Sequence, residues 1–267
     1  MTAIDLAYSE AGSGGLPLLL LHDLAGNRGN WRELIPHLAE HRRVIVADLR
    51  GHGESPIPPL TDGYDAEALA EDCLHLLDRI DVSRFAVAGG DLGGIVATEL
   101  AFAAPERVAA IVVSDASPAP SWPPDSALLA GHERTVARRL AAAEGGGMAA
   151  VARSILDYEA EPRVSEDPGP RERIVARWSD VPPAGFIGGS RALLDRRDRT
   201  TDLAALAVPQ LWIAGELGPM REAARQASTL SPFGRLELIP RCGIGCAWQR
   251  PEHWAAAVNG FLDEATA

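Results

Sequence analysis

The sequence contains no lysine, so arginine accounts for all 25 of its Lys and Arg residues. Without a lysine the chain cannot form a Schiff base through a side chain, and it lacks the phosphate-binding lysine of P-loop proteins. Positive charge is scarce overall, because 37 aspartate and glutamate residues give a formal net charge of −12. Nucleic acids and anionic membranes bind clustered positive charge, so we expect neither as a partner.

Cysteines and long apolar runs are also few. The three cysteines, Cys73, Cys242 and Cys246, do not make a disulfide framework. Residues 1–5 lack the basic region and apolar stretch of a secretory signal. The longest apolar run, residues 16–21, is much shorter than the roughly 20 residues that span a bilayer. We therefore expect a cytoplasmic protein with no membrane role.

Apolar and β-branched runs alternate with helical patterns along the first half of the chain. Residues 16–21, 43–48, 85–88 and 108–113 are typical of buried parallel strands, and residues 65–80 have the apolar spacing of a helix. With 267 residues and 46% hydrophobic content, the chain is long enough for one large domain. The alternation predicts the α/β class, a mostly parallel doubly wound sheet with its ligand site beyond the carboxyl ends of the strands.

The composition changes at Ser117, where several prolines interrupt the alternation and helical segments rich in alanine and arginine follow. Strand patterns return at residues 209–214 and 235–239. We therefore expect a core made of residues 1–116 and 207–267, with residues 117–206 inserted as a helical cap.

The segment around Asp91 is the strongest functional motif. It reads Gly89-x-Asp91-x-Gly93, between an apolar strand and a helical pattern. A glycine-flanked turn from a strand into a helix strains the residue at its apex and exposes that side chain. Asp91 is therefore the candidate catalytic carboxylate.

Four motifs in the same order and at the same spacing resemble those of the α/β-hydrolase superfamily. They are residues 22–26 (HDLAG), residues 48–55 (DLRGHGES), residues 89–94 (GGDLGG, that is Gly-x-Asp-x-Gly-Gly) and residues 105–108 (PERV). The resemblance implies the α/β-hydrolase fold, with Asp91 at the nucleophile position and an oxyanion hole made of backbone N–H groups near Leu24 and Leu92. An aspartate at this position resembles the haloalkane dehalogenase and epoxide hydrolase branches, where the carboxylate attacks carbon to form an ester.

The sequence departs from that family at the other catalytic positions. Gly90 and Leu92 flank Asp91, where those two branches usually have histidine and tryptophan. Gly218 stands where the family's acid follows the seventh strand, and Ile244 stands where its histidine precedes the last helix. A triad with Asp91 is therefore not expected at the usual positions.

Several other polar residues are candidates for supporting roles. Asp115 matches a position where some relatives keep their acid, although structural hydrogen bonding is the competing interpretation. His22 and His52 belong to motifs that serve turn geometry, and His22 lies near the expected site. His132 in the cap and His253 on the last helix are candidates to replace the missing base.

The cap contains four aromatic residues, Trp122, Tyr158, Trp178 and Phe186, which either line an apolar pocket or hold the cap helices together. Cys242, Cys246 and His253 match none of the usual zinc spacings, so no metal is expected. No cofactor is implied by the motifs.

Three functional hypotheses remain open. The preferred one has Asp91 as a general acid or base, beside backbone donors, in a non-hydrolytic elimination, isomerisation or cyclisation of a small, largely apolar metabolite. The second is a hydrolase of the epoxide hydrolase or dehalogenase type in which Asp91 is the nucleophile and a relocated residue is the base. The third is a small-molecule-binding protein without catalysis. The sequence leaves the oligomeric state open.

Overall fold

A seven-stranded sheet forms the centre of the computed structural model, which describes residues 2–60, 63–158, 178 and 181–265, with the side chains of residues 155–158 excluded. The strands are, in chain order, β1 (Tyr8–Ala11), β2 (Leu18–Leu21), β3 (Val44–Ala47), β4 (Phe85–Gly90), β5 (Val108–Ser114), β6 (Gln210–Gly215) and β7 (Gly234–Ile239). Their order across the sheet is β1-β3-β2-β4-β5-β6-β7.

All neighbouring strands are parallel except β1, which pairs with β3 in the antiparallel sense. Every residue of β2, β3 and β5 is buried, as expected for strands covered by helices on both faces. The prediction of a mostly parallel doubly wound sheet is confirmed.

The helices cover both faces of the sheet and continue beyond its carboxyl edge. They are α1 (Ile35–Ala39), α2 (Ala66–Arg79), α3 (Leu92–Ala103), α4 (Ala127–Tyr158), α5 (Pro183–Asp195), α6 (Arg221–Leu230), α7 (Cys246–Gln249) and α8 (Pro251–Ala265). The side chain of Asp65 caps α2 by accepting a hydrogen bond of 2.8 Å from the N–H of Ala68, which fixes the start of that helix. In the described ranges, no helix combines the length and the apolar character needed to cross a lipid bilayer.

Helices α4 and α5 lie in the segment expected to form the cap, and they pack against each other. Within α4, Gly146 and Gly147 have non-helical backbone angles, so two helical stretches meet there. Helix α5 lies close to the residues that follow β2 and β4. A Cβ atom on Gly189 would lie 2.6 Å from Cδ1 of Leu24 and 3.0 Å from Cδ2 of Leu92. The cap helices therefore lie over the carboxyl ends of the strands.

Candidate active site

Asp91 occupies the sharp turn between β4 and α3. Its backbone angles, φ 49° and ψ −112°, are outside the regions that a residue with a side chain ordinarily adopts. Such an outlier costs about 1–3 kcal/mol and persists only where its surroundings hold it. Here the N–H of Asp91 donates to the carbonyl of Ser114 (2.9 Å) and the N–H of Gly93 donates to the carbonyl of His22 (3.1 Å). The turn is therefore fixed to both neighbouring strand ends.

The glycine at position 90, directly before the apex, has open space beside it. The nearest atom that a Cβ atom built there would meet is the carbonyl oxygen of Ser114, at 4.0 Å. By contrast, a Cβ atom on Gly89 or Gly93 would clash with backbone. Two of these glycines are thus required by packing, whereas Gly90 is not.

The backbone donors that were expected to form an oxyanion hole contact Asp91 itself. The N–H of Leu24 donates to Oδ2 of Asp91 at 3.2 Å, and the N–H of Leu92 favours the charged form of this carboxylate. The prediction placed these donors beside Asp91 as a site for charge on the substrate. In this conformation they stabilise the carboxylate and fix its orientation instead.

The surroundings of Asp91 favour its neutral form more than water does. Burial, followed by the negative charge of Asp23, raises the pKa of Asp91 to about 6. The N–H groups of Leu24 and Leu92 and the charge of Arg196 oppose that rise. A carboxyl group with this pKa exchanges protons near neutral pH, as a general acid or base must.

A small cleft separates Asp91 from the cap. In this conformation its cavity volume is about 20 Å³, roughly the space for one water molecule. Its polar lining consists of Asp91, Ser117, His132, Glu133 and Arg196. Its apolar lining consists of Ile95, Ala116, Leu129, Val136, Leu193, Leu194 and Met220. This mixture of an apolar wall and a few polar groups is typical of small-molecule sites, and a ligand larger than water requires the cleft to open.

Two arginines of the cap lie in the electrostatic field of Asp91. Burial lowers the pKa of Arg139 and of Arg196 to about 10, and the charge of Asp91 opposes that effect in both cases. Both guanidinium groups are protonated at neutral pH. The sequence contained no signal for them, since arginines are frequent throughout the cap and their positions depend on helix packing.

His132 is the histidine that the cap brings to the cleft. Burial and the positive charges of Arg139 and Arg196 lower the pKa of His132 to about 4, against a smaller opposing effect of Glu133. The imidazole is therefore neutral at pH 7. His253, the other candidate for a relocated base, is partly exposed on α8 and lies 3.2 Å from Glu237, and it does not line the cleft.

His22 and His52 are buried and bonded to backbone. The N–H of Leu49 donates to Nε2 of His22 at 3.0 Å, so Nδ1 carries the proton and donates to the carbonyl of Asp23 at 2.8 Å. Nε2 of His52 lies 2.7 Å from the carbonyl oxygen of Leu24. His22 thereby holds the Asp23–Leu24 peptide, whose N–H reaches Asp91, and His52 holds the carbonyl of Leu24 on its other side.

Asp115 interacts with the loop that carries Ile244. Its Oδ2 accepts hydrogen bonds from the N–H groups of Gly245 (2.9 Å) and Cys246 (3.0 Å). Burial raises the pKa of Asp115 to about 6, although these N–H groups partly offset that rise. Asp115 does not line the cleft, and its carboxylate is used to hold this loop.

The loops after β6 and β7 pack backbone against backbone. A Cβ atom on Gly218 would lie 2.6 Å from the carbonyl oxygen of Gly243, and one on Gly215 would overlap that same oxygen. Ile244 is half-buried between Gly243 and Gly245. An acidic side chain therefore does not fit at position 218 unless the loop after β7 moves.

The cap aromatics occupy other places than the predicted pocket lining. Phe186 is fully buried and packs edge-to-face on Trp178, with 5.7 Å between ring centroids, and Trp122 packs against the core. None of these three lines the cleft, because their rings are used in packing within and beneath the cap. The side chain of Tyr158 lies outside the described residues.

The cysteines near the last helix are buried and reduced. Sγ of Cys242 lies 3.2 Å from Sγ of Cys246. Over the described residues, no group of three or more His, Cys, Asp or Glu side chains is arranged to hold a metal ion.

Comparisons with known proteins agree with this architecture. The profile of the alpha/beta hydrolase fold family matches residues 17–220. The chain is 29% identical to a pimeloyl-[acyl-carrier protein] methyl ester esterase of Edwardsiella ictaluri, over 97% of both chains. It is 27% identical to epoxide hydrolase A of Mycobacterium tuberculosis, over 97% of this chain and 94% of that protein.

A solved hydrolase structure from Pseudomonas aeruginosa superposes with a TM-score of 0.81 at 29% identity, covering 96% of this chain and 94% of that one. Other curated relatives match over shorter segments, and the aligned part spans only 22% to 44% of their length.

Proposed function

Since the chain belongs to the alpha/beta hydrolase fold family, we propose that it is an enzyme that uses Asp91 as a general base, and then as the matching acid, on a small and largely apolar molecule. The reaction class is a non-hydrolytic elimination, isomerisation or cyclisation that needs no cofactor. The observation that carries this proposal is a carboxyl group with a pKa of about 6 in the wall of a capped cleft.

The state of Asp91 supports this role. A base with a pKa near the working pH is largely deprotonated, and its conjugate acid can still return the proton. The N–H of Leu24 holds the carboxylate in one orientation, which reduces the reorganisation needed during proton transfer.

The packing at positions 218 and 244 argues against a triad of the usual form. An ester formed on Asp91 is released only if a base activates water. Ile244 cannot accept a proton, and Gly218 is closed off by Gly243. Proton transfer without a covalent intermediate requires neither residue.

Hydrogen exchange in D2O tests the proposal without knowledge of the natural substrate. Small ketones and unsaturated acids that fit the cleft are incubated with the protein, and deuterium uptake at carbon is followed by NMR. We expect uptake with the wild-type protein and none above background with Asp91→Asn. Equal uptake by both proteins contradicts a role for Asp91, and binding without uptake indicates a protein that only binds its ligand.

One observation favours a second candidate, which is hydrolysis through an ester of Asp91. His132 lines the same cleft as Asp91, and its neutral imidazole is able to accept a proton from water. In this mechanism Asp91 attacks an epoxide carbon, the C–O bond opens, and the alkoxide takes a proton from water, which leaves hydroxide. A second water then attacks Cγ of the ester while His132 accepts its proton and passes it to the departing oxygen, so that the diol leaves. The acid form of Asp91 gives its proton to the hydroxide, which restores the carboxylate.

Intact-protein mass spectrometry separates the two candidates. In the hydrolytic mechanism, His132→Gln treated with small epoxides accumulates an adduct on Asp91, whereas wild-type protein turns the epoxide over. In the proton-transfer mechanism neither protein accumulates a stable adduct during turnover. Asp91→Asn is the control for attack at other carboxylates.

A further inference from the structure

Arg196 has an unusual environment for a charged residue. It follows α5 and lines the cleft. Its guanidinium group donates to neutral oxygens only: the carbonyl of Leu193, Oγ of Ser117 at 2.6 Å and the carbonyl of Ala119 at 2.6 Å. Its Nε is buried and has no hydrogen-bond partner among the described residues.

The neighbouring arginines are paired with carboxylates. Arg197 lies 3.3 Å from Asp202, and Arg199 forms ion pairs with Glu99 and, at 2.9 Å, with Asp202. No carboxylate of the described part of the chain lies within ion-pair distance of Arg196. Burial of an unpaired charge is unfavourable, so this arrangement is explained if an anion pairs with Arg196 when a ligand is bound.

The other charged groups of the cleft do not supply that anion. Glu133 is bonded to Ser121, through its backbone N–H and, at 2.8 Å, its hydroxyl. The charges of Glu133, Asp91 and Asp198 all act on Arg196, but none of these carboxylates forms an ion pair with its guanidinium, and Oδ2 of Asp91 is held by Leu24. The neutral His132 completes the polar lining.

We propose that Arg196 binds a carboxylate of the ligand, so that the natural ligand is a small carboxylic acid with an apolar body. This inference names the substrate class for the function proposed above and rests on that site. A carboxylate gives the guanidinium a charge-assisted pair that neutral carbonyls do not provide. The apolar wall formed by Leu129, Val136 and Leu193 receives the hydrocarbon part, and the same ligand then lies beside Asp91.

Binding of the carboxylates from butanoate to octanoate, each compared with its primary amide, tests the inference on the wild-type protein. Amide and acid have nearly the same shape, so the comparison isolates the charge. By isothermal titration calorimetry we expect the best carboxylate to bind at least about tenfold more tightly than its amide. Equal affinities, or no carboxylate binding at millimolar concentration, overturn the proposal.

Variants assign the effect to Arg196. Arg196→Gln is expected to weaken carboxylate binding by about tenfold or more and to leave amide binding unchanged. Arg196→Lys keeps the charge and covers the case in which the glutamine variant does not fold, and it should retain part of the preference for the acid. Arg197→Gln is the matched control, since Arg197 is exposed and already paired, and it should bind like wild type. Loss of preference in Arg197→Gln but not in the Arg196 variants contradicts the assignment.

Asp91→Asn keeps this test separate from the test of catalysis. If the inference holds and the proposed function fails, Asp91→Asn and wild type both prefer the carboxylate, and conversion is absent or unchanged. If the function holds and the inference fails, Asp91→Asn abolishes conversion while acid and amide bind equally.

Discussion

The loop after β4 and the loops after β6 and β7 reach the same edge of the sheet, but they are packed in opposite ways. The first holds Asp91 in a strained backbone conformation at the wall of a cleft. The other two bring Gly215 and Gly218 so close to the backbone of Gly243 that no side chain fits at position 215 or 218. The strained turn after β4 therefore presents the carboxylate of Asp91 to the cleft. In the loops after β6 and β7, backbone fills the space instead, and Asp115 holds the loop after β7 in place.

The strongest test of this contrast is Asp91→Asn. We expect conversion to fall by about 10²–10⁴-fold, the usual contribution of a general acid or base. The free energy of unfolding of this variant, by contrast, should not fall at high pH. The pKa of Asp91 is raised in the folded protein from 3.8 to about 6, so its favourable contribution is present below pH 3.8 and is lost as the pH rises through 6. Urea unfolding at pH 8 should find the variant at least as stable as wild type.

Removal of the Asp115 carboxylate, which holds the loop after β7, should lower the stability of the protein rather than its activity. Asp115→Ala leaves the buried N–H groups of Gly245 and Cys246 without their acceptor, and we expect a loss of about 2–4 kcal/mol in the free energy of unfolding. Asp115→Asn keeps one acceptor oxygen and should lose less. If Asp115→Ala is as stable as wild type but inactive, the carboxylate has a catalytic role instead.

The loops after β6 and β7 offer a matched pair of glycine substitutions. Gly218→Ala places a Cβ atom 2.6 Å from the carbonyl oxygen of Gly243, whereas a Cβ atom on Gly243 meets no atom within 4 Å. We expect Gly218→Ala to lower the free energy of unfolding by about 1–3 kcal/mol and Gly243→Ala to have a smaller effect. Equal stabilities in thermal unfolding would mean that the two loops separate easily.

The pH dependence of kcat/KM tests the role of Asp91 in the loop after β4. If Asp91 is the base, kcat/KM rises about tenfold per pH unit below the pKa of about 6 and is constant above it. His132, with a pKa of about 4, stays neutral over that range. A rate that falls between pH 5 and 7 would show that the protonated carboxyl is the reactive form.

The smallest effect is expected for His132→Gln. If proton transfer by Asp91 is sufficient, the neutral imidazole contributes mainly to the shape of the cleft, and conversion should change by less than about threefold. The loss of conversion in Asp91→Asn, measured in parallel, is the reference for a full loss of proton transfer. A loss approaching that of Asp91→Asn favours the hydrolytic candidate.

Much of the fold and the position of Asp91 followed from local patterns. Apolar runs such as residues 108–113 predict buried strands because both faces of a parallel strand are covered, and Asp65 marked the start of α2 through its side chain. Gly89 and Gly93 predict a tight turn beside Asp91, because no side chain fits at either position. Such patterns act within a few residues and are visible in the sequence.

The partners of Asp91 could not be predicted in the same way. His132 was a candidate by its residue type and Arg196 was not named, because the positions of both relative to Asp91 depend on how α4 and α5 pack over the sheet. The hydrogen bond from Leu24 to Asp91 joins residues that are 67 positions apart. For the same reason the sequence could not decide whether the aromatic residues of the cap line the pocket or hold the cap helices together, and Phe186 and Trp178 pack against each other.

Gly90 has a consequence for how this site can change over generations. The space beside it admits a new side chain next to Asp91 without moving the backbone, so a single codon change can add a functional group there. At Gly218 the equivalent change first needs a rearranged loop, and one substitution is therefore not enough. Variation and laboratory selection should gain new chemistry in this chain at position 90 long before an acid is accommodated at position 218.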